Sequence, residues 1–169
     1  MSSDPMFDLL VRPAEPADYE AAGDLVVESY IAAGILSDDR GYDLVLRDVA
    51  GRAASATVLV AVHDGEVVGT GTIAIAGTEH AEIARGTEAE FRYFGVRTDM
   101  WGHGIGDALV VAAEEAARSR GATHTVMSVI SHNAPALAMY GKAGYARVPE
   151  RDWHPAPDIA LLVLSKELV

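Results

Sequence analysis

The sequence predicts an α/β fold: a central mixed sheet of six to seven strands flanked by about four helices, forming one domain over residues 1–169. Three observations carry this. β-Branched and apolar runs of strand length alternate with longer, Ala-rich segments of helical spacing. An Asp64-Gly65 pair between two β-branched runs is a strong hairpin signal. A run of strand character from Phe91 to Val96 ends in a turn with glycines at alternate positions, Gly102, Gly104 and Gly106, after which a helical pattern opens.

Taken in order, residues 1–8 read as a loose start and Leu9 to Arg12 as a short strand ended by Pro13 and Pro16. Asp18 is placed to cap a helix from Tyr19 to about Ala33, with Gly34 as its stop. A second helix is expected from about Asp38 or Tyr42 to Ala54. Thr57 to Val62 and Val67 to about Ile75 are the arms of the hairpin, and residues 76–88, polar and Gly-containing, read as a mobile loop. The central strand covers about 89–96. The helix after the glycine turn runs to about Arg120, burying Ile105, Leu109, Ala113 and Ala116/Ala117 and pairing Glu114 with Arg118 across one turn. Gly121 stops it. Thr123 to Ile130 is a buried strand and Asn133 to Ala143 a short helix stopped by Gly144. Tyr145 to Val148 and Ile159 to Glu167 are closing strands joined by the loop of residues 149–158.

The glycine turn carries the chemistry. Strand, glycine turn and helix together aim several backbone N–H groups at one point, and the helix N-terminus adds the positive end of its dipole. A phosphate or diphosphate suits that point; a tight connection with no ligand is the plainer alternative. The Walker pattern does not fit, because Ile105-Gly106-Asp107 stands where Lys-Ser/Thr is needed. The dinucleotide fingerprint does not fit either, since the glycine spacing differs and the turn lies mid-chain.

Composition narrows the partners. A formal charge of −12 opposes nucleic acid, and the longest apolar runs are far short of a membrane span. The absence of cysteine excludes disulfides, thiolate metal sites and a Cys nucleophile, and it fits a cytoplasmic location.

The element order, with the glycine turn directly after the fourth strand, resembles the GNAT family of acetyl-CoA-dependent N-acetyltransferases over nearly the whole chain. The family pattern Q/R-x-x-G-x-G/A reads here Trp101-Gly102-His103-Gly104-Ile105-Gly106. A second pattern reads Asn133-Ala134, then Tyr140, then Gly144-Tyr145. The resemblance implies that acetyl-CoA is the cofactor, with the amides of Gly102, His103, Gly104, Ile105, Gly106 and Asp107 holding its diphosphate. It also implies that backbone groups of Phe94 and Val96 pair with the pantetheine arm along a fourth strand splayed from the fifth. The Val96 N–H becomes an oxyanion donor, Asn133 bonds the arm, and Tyr140 protonates the departing thiolate.

Plainer readings stand beside these. Asn133 is also a good N-cap, Tyr140 near a helix end is also packing, and His103 is also a solvated turn residue. Trp101 stands where the family prefers Arg or Gln, which leaves Arg97, His103 or Lys142 to assist the cradle. Asp107 repels a phosphate, and Ser128 occupies a position where some protein-acetylating members carry a Glu base. Glu90 is the first candidate for general base, with Glu88, His132 and His154 behind it; an edge charge is the plain reading of Glu90. Trp153 lines the acceptor pocket or plugs it. The resemblance implies an N-acetyltransferase acting on the primary amine of a small molecule or peptide by direct attack. The departures leave open a non-catalytic acyl-CoA binder or sensor, and analogy alone suggests a homodimer.

Overall fold

A computed structural model describes residues 8–34 and 41–169. The expected loose start up to residue 7 and the Asp38 start of the second helix lie outside the described residues. Eight strands form one sheet: β1 (Leu10–Pro13), β2 (Thr57–His63), β3 (Glu66–Ile75), β4 (Glu88–Val96), β5 (His124–Ile130), β6 (Ala146–Arg147), β7 (Trp153–Ala156) and β8 (Ile159–Glu167). Their order is β1-β2-β3-β4-β5-β8-β6, with β7 added on β8. The five helices are α1 (Tyr19–Ala32), α2 (Tyr42–Arg47), α3 (Val49–Ala53), α4 (Ile105–Ser119) and α5 (Ala134–Lys142).

The two-residue period of the strands sorts the core onto two faces. On β2, Leu59 and Ala61 join the cluster built with Ile105, Leu109 and Ala113 of α4, whereas Val58 and Val60 join Ala22 of α1 and Val49 of α3. Helices therefore cover both faces of the sheet, as the alternating sequence pattern requires. The hairpin turns on Asp64 and Gly65, both at positive φ (51° and 75°), the requirement that makes Asp-Gly the favoured pair there. In β3, a Cβ on Gly69 would come within 2.8 Å of Ile105 and 3.0 Å of Leu109. That glycine lets the first turn of α4 lie directly on the sheet.

Several local expectations are corrected by tertiary contacts. The second helix breaks in two because Asp48 leaves helical geometry (φ −79°, ψ 65°) and its carboxylate caps α3 by accepting the Gly51 N–H at 3.0 Å. Asp18 gives α1 no side-chain cap. Its carboxylate instead accepts from Arg12 (2.7 and 3.2 Å) and from the Glu15 N–H (2.7 Å). Glu114 does not reach out to Arg118: it is buried on the inner side of α4, where Lys166 (3.0 and 3.1 Å) and the Tyr145 hydroxyl (2.9 Å) donate to it. The expected loop of residues 149–158 contains β7, a strand that two prolines hid from a propensity reading.

What positions the site is the fork between β4 and β5. These strands pair in parallel only from Glu88↔His124 to Glu90↔Val126. Beyond that point β5 continues against β8, while β4 follows β3 to Val96. A bulge in β4, where two residues oppose Gly71 of β3, widens the gap; Tyr93 sits in it at φ 53°, a conformation uncommon for a bulky residue.

Candidate active site

The fork opens into a cleft of about 1310 Å³. Phe94, Val96, Gly102, Gly104, Ile105, Gly106, Asp107, Asn133, Tyr140 and Glu90 all line it. His103, grouped with them in the sequence, does not; it is exposed.

Gly102 and Gly104 adopt positive φ (87° and 78°), which turns the chain sharply into α4 without side chains in the way. Gly104 is the N-cap of α4 and offers no side-chain oxygen to the first turn. The amides of Ile105 and Gly106 have no acceptor in the helix, as for any first turn, and none is provided elsewhere among the described residues. A Cβ on Gly106 would come within 2.8 Å of Met139 Sδ and 3.1 Å of Phe94 Cζ, so those side chains pack closely against the helix start and would have to shift for a larger residue. Open donors, a dipole end and no side-chain bulk suit an anionic diphosphate. Asp107 adds a like charge at the rim. Arg97 does not offset it: it is held by Glu66 (2.9 Å) and Asp99 (2.7 Å), outside the cleft, and Lys142 lies outside it too.

The edge of β4 is equally available. The Arg97 N–H donates to Val68 O at 2.8 Å and Gly95 stands opposite Thr70. In an antiparallel ladder this alternation turns the amide and carbonyl of Val96 to the other edge, the one that β5 has left. The Val96 carbonyl already accepts from the Trp101 indole at 3.1 Å. Trp101, 62% exposed, thus folds over the end of β4 in the place of the family's Arg or Gln.

At the start of α5, Asn133 does act as N-cap, its Oδ1 accepting the Ala136 N–H at 3.2 Å, and the residue lines the cleft. Tyr140 is buried, its ring packed edge-on against Phe94 (6.3 Å) and Tyr145 (6.0 Å). Its hydroxyl bonds to no described residue, and burial pushes it above the ordinary tyrosine value, so it is protonated at neutral pH. Tyr145, the second half of that motif, serves the fold through its buried bond to Glu114.

The candidate bases are already engaged. Glu90 Oε1 accepts three amides and Oε2 lies 3.6 Å from Arg92. Glu88 is bound by Arg151 (2.9 and 3.1 Å) and by the Arg85 N–H (3.0 Å). Burial would raise its carboxyl, but those bonds more than offset it, and it lies below the usual carboxylate range. His132 Nε2 pairs with the Ala33 carbonyl at 2.9 Å, and His154 is exposed outside the cleft. Trp153 lines the cleft and its indole N–H donates to Ser128 Oγ at 3.1 Å. Sequence reasoning expects acceptor lining from segments 30–42, 76–88 and 149–158 without singling out Tyr30 or Tyr42, and it missed Arg92 and Tyr93; all four line the same cleft. They come from three elements, α1, α2 and β4, with no spacing in common, so no local sequence signal joins them.

Open amides at the start of α4 thus lie beside a strand edge freed by the β4–β5 fork, the arrangement that the resemblance implies for a CoA-dependent acyltransferase. Residues 21–145 match the model of the acetyltransferase (GNAT) family, and the chain belongs to that family. Acetyl-CoA is the family's acyl donor. The fold is shared with solved structures at low identity. A GNAT-family acetyltransferase from Staphylococcus aureus Mu50 superposes with a TM-score of 0.76 at 11% identity, covering 96% of this chain and 100% of that one. A Salmonella typhimurium protein described as an acetyltransferase, solved with its cofactor acetyl-CoA, gives 0.72 at 21% identity over 95% and 94%. The ribosomal-protein-alanine N-acetyltransferase of Brucella melitensis gives 0.69 at 22% over 94% and 99%. No curated protein matches the sequence. Among the described residues no helix is long and apolar enough to cross a membrane, and no cluster of side chains could hold a metal ion.

Proposed function

We propose that this protein transfers the acetyl group of acetyl-CoA to a primary amine of a small molecule or peptide by direct attack. The observation that carries the proposal is the meeting, in one cleft, of the open amides of Ile105 and Gly106 with the uncommitted hydroxyl of Tyr140. When bound, acetyl-CoA supplies a thioester carbon open to attack and a sulfur that departs with the electron pair. The first turn of α4 holds the diphosphate with main-chain hydrogens. Asn133, its Oδ1 used as a cap, has its amide N–H groups left for the arm. The Val96 N–H, fixed at the free edge of β4, donates to the oxygen that gains charge. As the C–N bond forms and the C–S bond breaks, the Tyr140 hydroxyl gives its proton to the departing sulfur, and the proton shed by the attacking nitrogen passes to solvent, from which Tyr140 is reprotonated.

The test is Tyr140→Phe, assayed by thiol release on a broad amine panel with acetyl-CoA. Acetyl-CoA is expected to stabilise wild type and variant equally against heat, while kcat falls about 10²-fold or more in the variant. Normal turnover by the variant would remove Tyr140 from the mechanism. Stabilisation of the wild type with no thiol release on any amine would favour a non-catalytic binder.

A further inference from the structure

Glu90 is the last residue of β4 paired with β5, so it sits at the apex of the fork, and it is only 2% exposed. Its Oε1 accepts the N–H groups of three consecutive residues, Glu82 (2.7 Å), Ile83 (2.7 Å) and Ala84 (3.1 Å). Successive amides converging on one oxygen form an anion-binding nest, here filled by the protein's own carboxylate. Arg92 supplies the counter-charge and ties the same segment twice more: its guanidinium donates to the His80 carbonyl (2.6 Å) and pairs with Glu82 (3.0 Å). Arg151 clamps the segment from the other side through the Ile83 carbonyl (2.6 Å). The expected mobile loop is therefore pinned at its centre, and the pinned part gives Glu79, His80 and Glu82 to the cleft wall.

Building on the acetyl-transfer reading above, we infer that Glu90 is a positioning residue: it fixes residues 79–84 as the wall against which the acceptor amine seats. It is not the group that takes the amine's proton. Oε1 is held by three amides of the loop and Oε2 lies 3.6 Å from the Arg92 guanidinium, so the carboxylate's closest partners are structural ones.

Hydrogen–deuterium exchange on the full chain tests this without knowledge of the acceptor. In Glu90→Gln, a neutral oxygen replaces the charged acceptor, and amides 82–84 are expected to exchange about tenfold faster. Acetyl-CoA stabilisation is expected to be unchanged. On any amine that the panel identifies, the acceptor KM rises severalfold, while kcat and the ascending limb of its pH profile are kept. Unchanged exchange at 82–84 overturns the inference, as does a hundredfold fall in kcat with the ascending limb lost at constant KM, the signature of a base. Should the Gln variant not fold, Glu90→Asp keeps the charge but withdraws the oxygen by about 1.5 Å; it must loosen the same amides, and intact protection there also overturns the inference. Absence of wild-type thiol release across the panel would sink the transfer reading, whereas the exchange arm judges the Glu90 anchor by itself.

Discussion

Gly95→Ala probes the close approach of α1 to the strand edge that carries Val96. An alanine Cβ at 95 would lie 2.5 Å from Ser29 Oγ, 2.8 Å from the Leu25 carbonyl oxygen and 3.2 Å from its carbon. The serine hydroxyl can rotate away. The Leu25 carbonyl is helix backbone and yields only if α1 moves. Overpacking of this kind costs about 1–3 kcal/mol. For a chain of this size each kcal/mol is worth about 2–4 °C, so Tm is expected to fall by roughly 2–12 °C. Gly141→Ala is the matched control: it lies inside α5, with nothing within 4 Å of the new methyl. It should gain about 0.5–1 kcal/mol through lower backbone entropy in the unfolded chain. Thermal melts of both variants, with and without acetyl-CoA, give the comparison. Because Gly95 adjoins Val96, its variant should also lose part of its stabilisation by acetyl-CoA, and Gly141→Ala should lose none. A Gly95→Ala protein that melts at or above the wild-type temperature would refute the claim that helix backbone limits this site.

Tyr145→Phe removes a buried donor to the Glu114 carboxylate and leaves Lys166 as its partner. Stability should fall by about 1.5–3 kcal/mol, the range for hydrogen bonds to charged groups, in urea unfolding, with acetyl-CoA affinity unchanged. The bond from Arg12 is the main cause that holds the Asp18 carboxyl below its ordinary value. A depressed carboxylate stabilises the fold above its unfolded pKa, about 3.9, and that contribution is lost as pH falls through the lower folded value. Urea midpoints measured from pH 5 downward should therefore drop more steeply for wild type than for Asp18→Asn, and parallel curves would exclude this pair from the acid response.

Much of this protein is legible in its sequence because the relevant signals are local. Gly102 and Gly104 mark a turn at positive φ that favours glycine, Asp64-Gly65 marks a hairpin, and the strand period sorts Leu59 and Ala61 from Val58 and Val60. Those signals, with Asn133 and Tyr140 at their spacing at the start of α5 and within it, single out residues that the fold brings to one cleft. What they could not give is which partner a polar side chain would choose. Asp18 and Glu114 read as a cap and a surface pair within their own helices, yet each found a cation elsewhere in the fold: Arg12 from a neighbouring strand and Lys166 from the far end of the chain.

The same division runs through the active site. Local sequence determined the amide cradle, since a helix start preceded by glycines exposes N–H groups wherever it is placed. Only the tertiary structure decided the side-chain lining of the cleft, where the β4–β5 fork, the Tyr93 bulge and the Glu90 nest bring Tyr30, Arg92, Trp153, Glu79, His80 and Glu82 together. The reason is physical. A backbone cradle is made by a few consecutive residues whose conformations are set by their own chemistry. A side-chain wall is made by distant residues whose orientation is fixed by strand register and by buried charges that must be paired.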